Sequence, residues 1–152
     1  MLPQVSFMIG PKSTNEFGSV LAQRTNQKLL DFEQFICQRE MEAASDDDKV
    51  IALIQNLAEE PRARVLITGF PVNQYQAKFF VKNAVSPHSV FVLNCSKDFC
   101  QAEMLKVPEY LPEYISSSEL NQRINEYTAN MKTLLPYLLQ NTDVFEIDIE
   151  RP

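Results

Sequence analysis

The stretch from Val5 to Ala22 constrains this chain more than any other. Val5-Ser-Phe-Met-Ile9 is apolar apart from one small hydroxyl, which suits a central parallel strand buried on both faces. Gly10-Pro11 ends it. Ser13-Thr-Asn-Glu16 then has the spacing of a capping box, a hydroxyl followed three residues later by a carboxylate. A helix is expected from near Glu16 to near Asn26, with Phe17, Val20 and Leu21 at helical spacing. Strand, loop and helix in this order make the frame of a phosphate-binding loop. In such a loop, glycines let backbone N–H groups wrap the phosphates, and a lysine just inside the helix reaches the terminal ones. Here the frame is present without that chemistry. Gly10 is followed by no glycine until Gly18, Glu16 stands where the lysine belongs, and no lysine lies between Ser13 and Gln27. The Glu16 carboxylate would itself occupy the positive end of the helix, where an anion would otherwise bind.

The remaining chain alternates strand and helix patterns. Leu29-Leu30 is a brief second strand, and Asp31 caps a helix that turns Phe32, Phe35 and Ile36 inward. Ser45-Asp-Asp-Asp48 reads as an N-cap and an acidic first turn rather than a metal site. Val50, Ile51, Leu53, Ile54 and Leu57 follow it at helical spacing. Val65 to Ile67 is a third strand, ended by Thr68-Gly-Phe-Pro71, with a helix from about Asn73 to Ala84. Val90-Phe-Val-Leu93 is the fourth strand. A short helix is expected over Lys97 to Lys106, and a loop with two prolines and two tyrosines over Val107 to Tyr114. Ser116 and Glu119 form a second capping box. The long helix beyond it carries Leu120, Ile124, Tyr127, Met131 and Leu135 on one face, and Pro136 is expected to kink or break it. Val144 to Ile149 alternates as a final strand. Five strands alternating with helices indicate an α/β domain with a mostly parallel sheet covered on both sides. A length of 152 residues fits one domain.

Charge and cysteine usage narrow the function classes. A net charge of −6 and a pI near 4.8 argue against nucleic acid and against an anionic membrane surface. No apolar run approaches ~20 residues, and the N-terminus lacks the basic start and apolar stretch of a signal peptide. Cys37, Cys95 and Cys100 show no paired metal spacing and read as reduced thiols of an intracellular protein, with Cys95 in the core. His88, the only histidine, sits in a Ser-Pro-His-Ser turn and reads as a surface residue. Neither a metal site nor a cofactor is expected.

Three features together resemble the adenylate kinase family of nucleoside monophosphate kinases. They are Ile9-Gly-Pro with the Leu-Ala of Val20-Leu-Ala22; Gly69-Phe-Pro71 with Gln76-Ala77 after a buried strand; and Ser118 to Tyr127 with Pro136, which is similar to the family's penultimate helix. The resemblance implies a three-layer P-loop NTPase-like domain. Its five-stranded parallel sheet would have strand order 2-3-1-4-5, with helices on both faces. It implies a single adenylate-kinase-like domain over residues 1–152, with shortened monophosphate-binding and lid segments. It also implies a larger protein, because the family adds one more helix after the fifth strand.

The departures weigh against chemistry. The P-loop lysine aligns with Glu16, a magnesium-holding hydroxyl with Gly18, and the Asp-Gly-Phe-Pro-Arg motif has Thr68 and Val72 at its ends. The second-helix arginine aligns with Cys37, and the lid motif falls near Pro112, Tyr114 and Ile115. Only Arg123 stands where the family has a phosphate-clamping arginine. That residue is equally placed for a helix-surface ion pair with Glu119 or Glu126. The nucleotide-binding candidates are Gly10, Pro11, Lys12, Ser13, Gly69, Gln76 and Arg123, with Lys12 and Arg123 as residual catalytic candidates. The first expectation is a catalytically degenerate module that binds other proteins, with Tyr110 or Tyr114 as contact residues unless they simply pack in their loop. By resemblance it would be cytoplasmic, in a cilium or flagellum. The alternative is a kinase that uses Mg-ATP with rearranged ligands. Charge placement separates the two: a kinase needs basic groups converging on the Gly10–Glu16 loop, whereas a scaffold leaves that cleft filled or acidic.

Overall fold

The structure, a computed structural model, describes residues 2–10, 15–94, 96, 98 and 116–148. Pro11, Lys12, Ser13, Cys95, Cys100, the helix expected over Lys97 to Lys106 and the loop with Tyr110 and Tyr114 lie outside them. Ten elements are described, in the order β1 (Gln4–Ile9), α1 (Asn15–Arg24), β2 (Lys28–Asp31), α2 (Phe32–Gln38), α3 (Asp46–Ala58), β3 (Arg64–Thr68), α4 (Gln74–Asn83), β4 (Ser89–Asn94), α5 (Ser117–Asn141) and β5 (Val144–Asp148). All five strands pair in parallel in the order β2-β3-β1-β4-β5, as the resemblance implies. Between α2 and β3 the chain holds the single helix α3.

Alternation along the strands builds two cores. Val5, Phe7 and Ile9 of β1, Val65 and Ile67 of β3, and Val90 and Val92 of β4 face one side, where α2, α3, α4 and α5 pack. Met8, Leu66 and Leu93 face the other side, against Ala22 and Leu21 of α1. The first core is the larger. At its centre, Phe70 is fully buried with ring centroids 5.3 Å from Phe7, 4.9 Å from Phe32 and 5.4 Å from Phe80.

Two expectations change. The sheet-facing side of α1 is Gly18, Leu21 and Ala22, while Phe17 and Val20 are 39% and 50% exposed. The reason is close approach: a Cβ on Gly18 would sit 2.7 Å from Thr68 Cγ2, so the glycine marks the contact line and rotates the larger residues outward. The second change is at Pro136. α5 does not break there but runs unbroken from Ser117 to Asn141. Proline removes one N–H donor and opposes the carbonyl four residues back, at Lys132. Both Pro136 and Lys132 are exposed, so water can serve that carbonyl. Leu134 and Leu138, which flank the proline, are 0% and 1% exposed. Their burial, about 1.5–3 kcal/mol each, offsets a proline cost of about 3 kcal/mol.

Caps start the helices where the sequence places them. Asp31, Ser45 and Ser116 side chains accept from Gln34, Asp48 and Glu119 backbone N–H groups, respectively. The end of α2 is less comfortable. Glu40 has φ +56°, while Met41 N–H closes the helix onto Ile36 O at 3.0 Å. A left-handed backbone costs a side chain-bearing residue about 1–2 kcal/mol and costs glycine almost nothing. Glu40→Gly is therefore expected to stabilise the fold by about 0.5–1 kcal/mol, after subtracting glycine's greater unfolded-state freedom. Urea unfolding should show a higher midpoint at unchanged slope.

Candidate functional site

The sheet order decides where a site can form. The connection leaving β1 goes to β2 on one side of it, and the connection leaving β3 goes to β4 on the other. Adjacent strands whose connections diverge leave a crevice outside their carboxyl ends. A cleft of about 550 Å³ lies there. Ile9 and Gly10 at the end of β1 and Gly69 after β3 line its base, and α2, the first turn of α3, the segment before α4, and α5 form its walls.

The turn after β3 is built to hold the base. Gly69 has φ +72°, a conformation that favours glycine, and its N–H donates to Met8 O at 3.0 Å. The chain then drops Phe70 into the core and passes through a cis Phe70–Pro71 bond. Asn73 caps α4 by accepting from Gln76 N–H at 2.8 Å. The Gln76 side chain is 3% exposed and is committed at both ends. Its Oε1 accepts from Val72 N–H at 2.9 Å, and its Nε2 donates to Asp46 Oδ1 at 2.9 Å. It thus clamps the 70–73 turn to the start of α3. Nearby, the Tyr75 hydroxyl donates to Asp47, which pushes the phenol's pKa up.

The charge on the walls is mostly negative. Among the described residues, Asp31, Glu33, Glu42, Asp46 and Glu126 line the cleft against two cations, Lys49 and Arg123. Arg123 is already engaged, 3.3 Å from Glu119 and 3.8 Å from Glu33. Cys37 lines the cleft where the resemblance places an arginine. Its thiol donates to Glu42, and that bond, with the Glu42 and Glu33 charges, raises its pKa. A nearby carboxylate disfavours the thiolate, so this is a poor nucleophile. Among the described residues, no three His, Cys, Asp or Glu groups converge closely enough to hold a metal ion. No described helix is long and apolar enough to cross a membrane.

The structure brings Gly10, Gly69, Gln76 and Arg123 to one cleft, while Pro11, Lys12 and Ser13 lie outside the described residues. Arg123 proves to be both an ion-pair partner and a cleft residue. Two wall residues, Lys49 and Glu42, carry no sequence signal. Lys49 follows an acidic turn in an ordinary amphipathic helix, and only the tertiary fold aims that turn at the cleft. No protein-family model matches this chain, and no curated protein matches it.

Two outcomes follow from this geometry. Gly18→Ser should destabilise the fold by about 1–3 kcal/mol, because the new Cβ meets Thr68 Cγ2 at 2.7 Å and Met8 Sδ at 3.3 Å. Chemical denaturation reads this directly. At Cys37, the raised pKa means less thiolate at a given pH, and alkylation should therefore lag behind free cysteine in mildly alkaline buffer. Glu42→Gln should lower that pKa and speed the reaction, as followed by peptide-resolved mass spectrometry that separates Cys37 from Cys95 and Cys100.

Proposed function

We propose that this chain is a P-loop NTPase-like domain of the adenylate kinase type that has given up phosphoryl transfer and serves as a non-catalytic protein-binding module. The observation that carries this reading is the charge of the cleft. Phosphoryl transfer is catalysed by positioning and by converging positive charge, and removing one such donor costs on the order of 10²–10³ in rate. Among the described residues five carboxylates face two cations, and Arg123 is tied to Glu119 and Glu33. A triphosphate entering such a cleft would meet like charge.

Packing supports the same reading. Gly18 stands where the family's magnesium-holding hydroxyl would be, and α1 lies too close to Thr68 for any side chain there. Gln76, the candidate for the monophosphate base, spends its polar atoms on Val72 and Asp46. Val72 replaces the arginine of the family's motif with an apolar wall. A setting inside a larger ciliary or flagellar protein of the cytoplasm belongs to this proposal by resemblance.

The kinase reading keeps one observation in its favour: Gly10, Gly69, Gln76 and Arg123 do share a cleft, and Lys49 adds a cation. Under that reading Mg-ATP would bind. Thermal unfolding with Mg-ATP, AMP and a two-headed analogue joining both nucleotides separates the two. A ligand at 100 times its dissociation constant stabilises by about 2.7 kcal/mol. The binding-module reading expects no change in melting temperature at millimolar nucleotide, and a clear upward shift with the two-headed analogue would overturn it.

A further inference from the structure

We propose that the cleft docks a basic segment of a partner protein, taking an arginine side chain of that segment between its acidic walls. This rests on reading the domain as a non-catalytic binding module. The first argument is unspent charge. Among the described residues, Asp31, Glu42, Asp46 and Glu126 form no ion pair. Asp31 accepts from Gln34 N–H, Asp46 from Gln76, Glu126 from Gln122 and Glu42 from the Cys37 thiol. None of these donors carries a charge, so among the described residues the five carboxylates outnumber the cleft cations Lys49 and Arg123 and leave a net negative field. A concave site lined by one sign of charge concentrates the opposite sign.

Shape and wall chemistry select the kind of cation. The cleft, at about 550 Å³, falls within the roughly 300–1,000 Å³ of ligand sites, far larger than an inorganic ion needs. Its carboxylates are spread along the walls, and among the described residues no three His, Cys, Asp or Glu groups converge on a point. Between them lie Ile36, Val72 and Tyr127, an apolar surface for an alkyl stem. A long stem with a planar, weakly hydrated, five-donor head fits this arrangement better than a compact ammonium, because a guanidinium can bond separate carboxylates at once. Val72, which lines the cleft, is 47% exposed and offers an apolar landing for residues flanking the arginine.

The test uses a fluorescein-labelled Ala-Leu-Arg-Leu-Arg-Ala peptide and its citrulline counterpart, which keeps shape and loses charge. Fluorescence anisotropy on the intact chain should show saturable binding of the arginine peptide. The citrulline peptide should bind about ten-fold or more weakly, the scale of one charge-assisted contact. Glu42→Gln/Asp46→Asn should weaken the arginine peptide at least as much, while both variants keep an acceptor in place. The control is Glu59→Gln/Asp143→Asn, which removes the same charge from exposed positions outside the cleft lining. It should leave binding within about two-fold, since exposed charges are well screened. Absence of saturable binding, equal binding of the citrulline peptide, or equal loss in both double variants would overturn the proposal. Failure with the peptide and no thermal response to nucleotide would leave the binding-module reading standing with a different face. Displacement of the peptide by Mg-ATP, with a thermal shift, would remove both.

Discussion

The packing of Phe70 beneath the ends of β1 and β3 is the contact on which the site depends. The ring is fully buried and touches Phe7, Phe32 and Phe80, so it ties a sheet strand, α2 and α4 to one point. Burying a phenylalanine contributes about 1.5–3 kcal/mol, and each favourable ring pair adds about 0.5–1.5 kcal/mol. Gly69 makes this possible, because its left-handed backbone turns the chain from β3 into the core while its N–H stays bonded to Met8. The most specific part of the resemblance, Gly69-Phe70-Pro71, is thus explained by packing alone. The fold needs it whether or not a nucleotide binds.

Three helix N-termini beside the cleft are answered by the chain's own side chains. Helix N-termini carry partial positive charge and unpaired N–H groups, which is why phosphates bind there. Around this cleft, those ends are answered by the chain itself. Asp31 caps α2, Ser45 with three following aspartates caps α3, and Asn73 caps α4. Asp46 has a second task, since it receives the Gln76 amide that holds the 70–73 turn. Each such bond makes the apo cleft more rigid and less receptive to an anion at the same time. The same side chains therefore start the helices and hold the 70–73 turn in place.

How much of this was legible in the sequence follows from the range of each signal. Strands buried on both faces announce themselves as apolar runs, so Val5 to Ile9, Val65 to Ile67 and Val90 to Leu93 were placed correctly. Capping is local, and Asp31, Ser45 and Ser116 cap as their neighbours suggest. Helical spacing alone does not tell which side of α1 meets the sheet: Leu21 packs there while Phe17 and Val20 turn outward, because the helix approaches through Gly18 at a distance no side chain allows. Pro136 was expected to kink or break α5. It does not break the helix, because the outcome turns on burial of Leu134 and Leu138, a tertiary fact. At the site, Gln76 and Arg123 were visible but their partners were not. Asp46 lies 30 residues before Gln76 in the chain, and Glu33 reaches Arg123 only through the fold.

The cleft carboxylates differ in how far the fold itself accounts for them. Asp31 starts a helix, Asp46 holds Gln76, Glu33 pairs with Arg123 and Glu126 receives a side-chain amide from the same helix. Glu42 does none of these. It belongs to no described helix or strand, and among the described residues its one partner is an exposed thiol whose ionisation it suppresses. Like charges gathered in one cleft oppose the compact state, so an extra carboxylate there is a small net cost to folding. Lys49 on the neighbouring helix could relieve that cost by pairing with one of them, yet it forms no ion pair among the described residues. Glu42 is thus the cleft carboxylate that the contacts among the described residues account for least, and the proposed docking of a basic segment bears most directly on it.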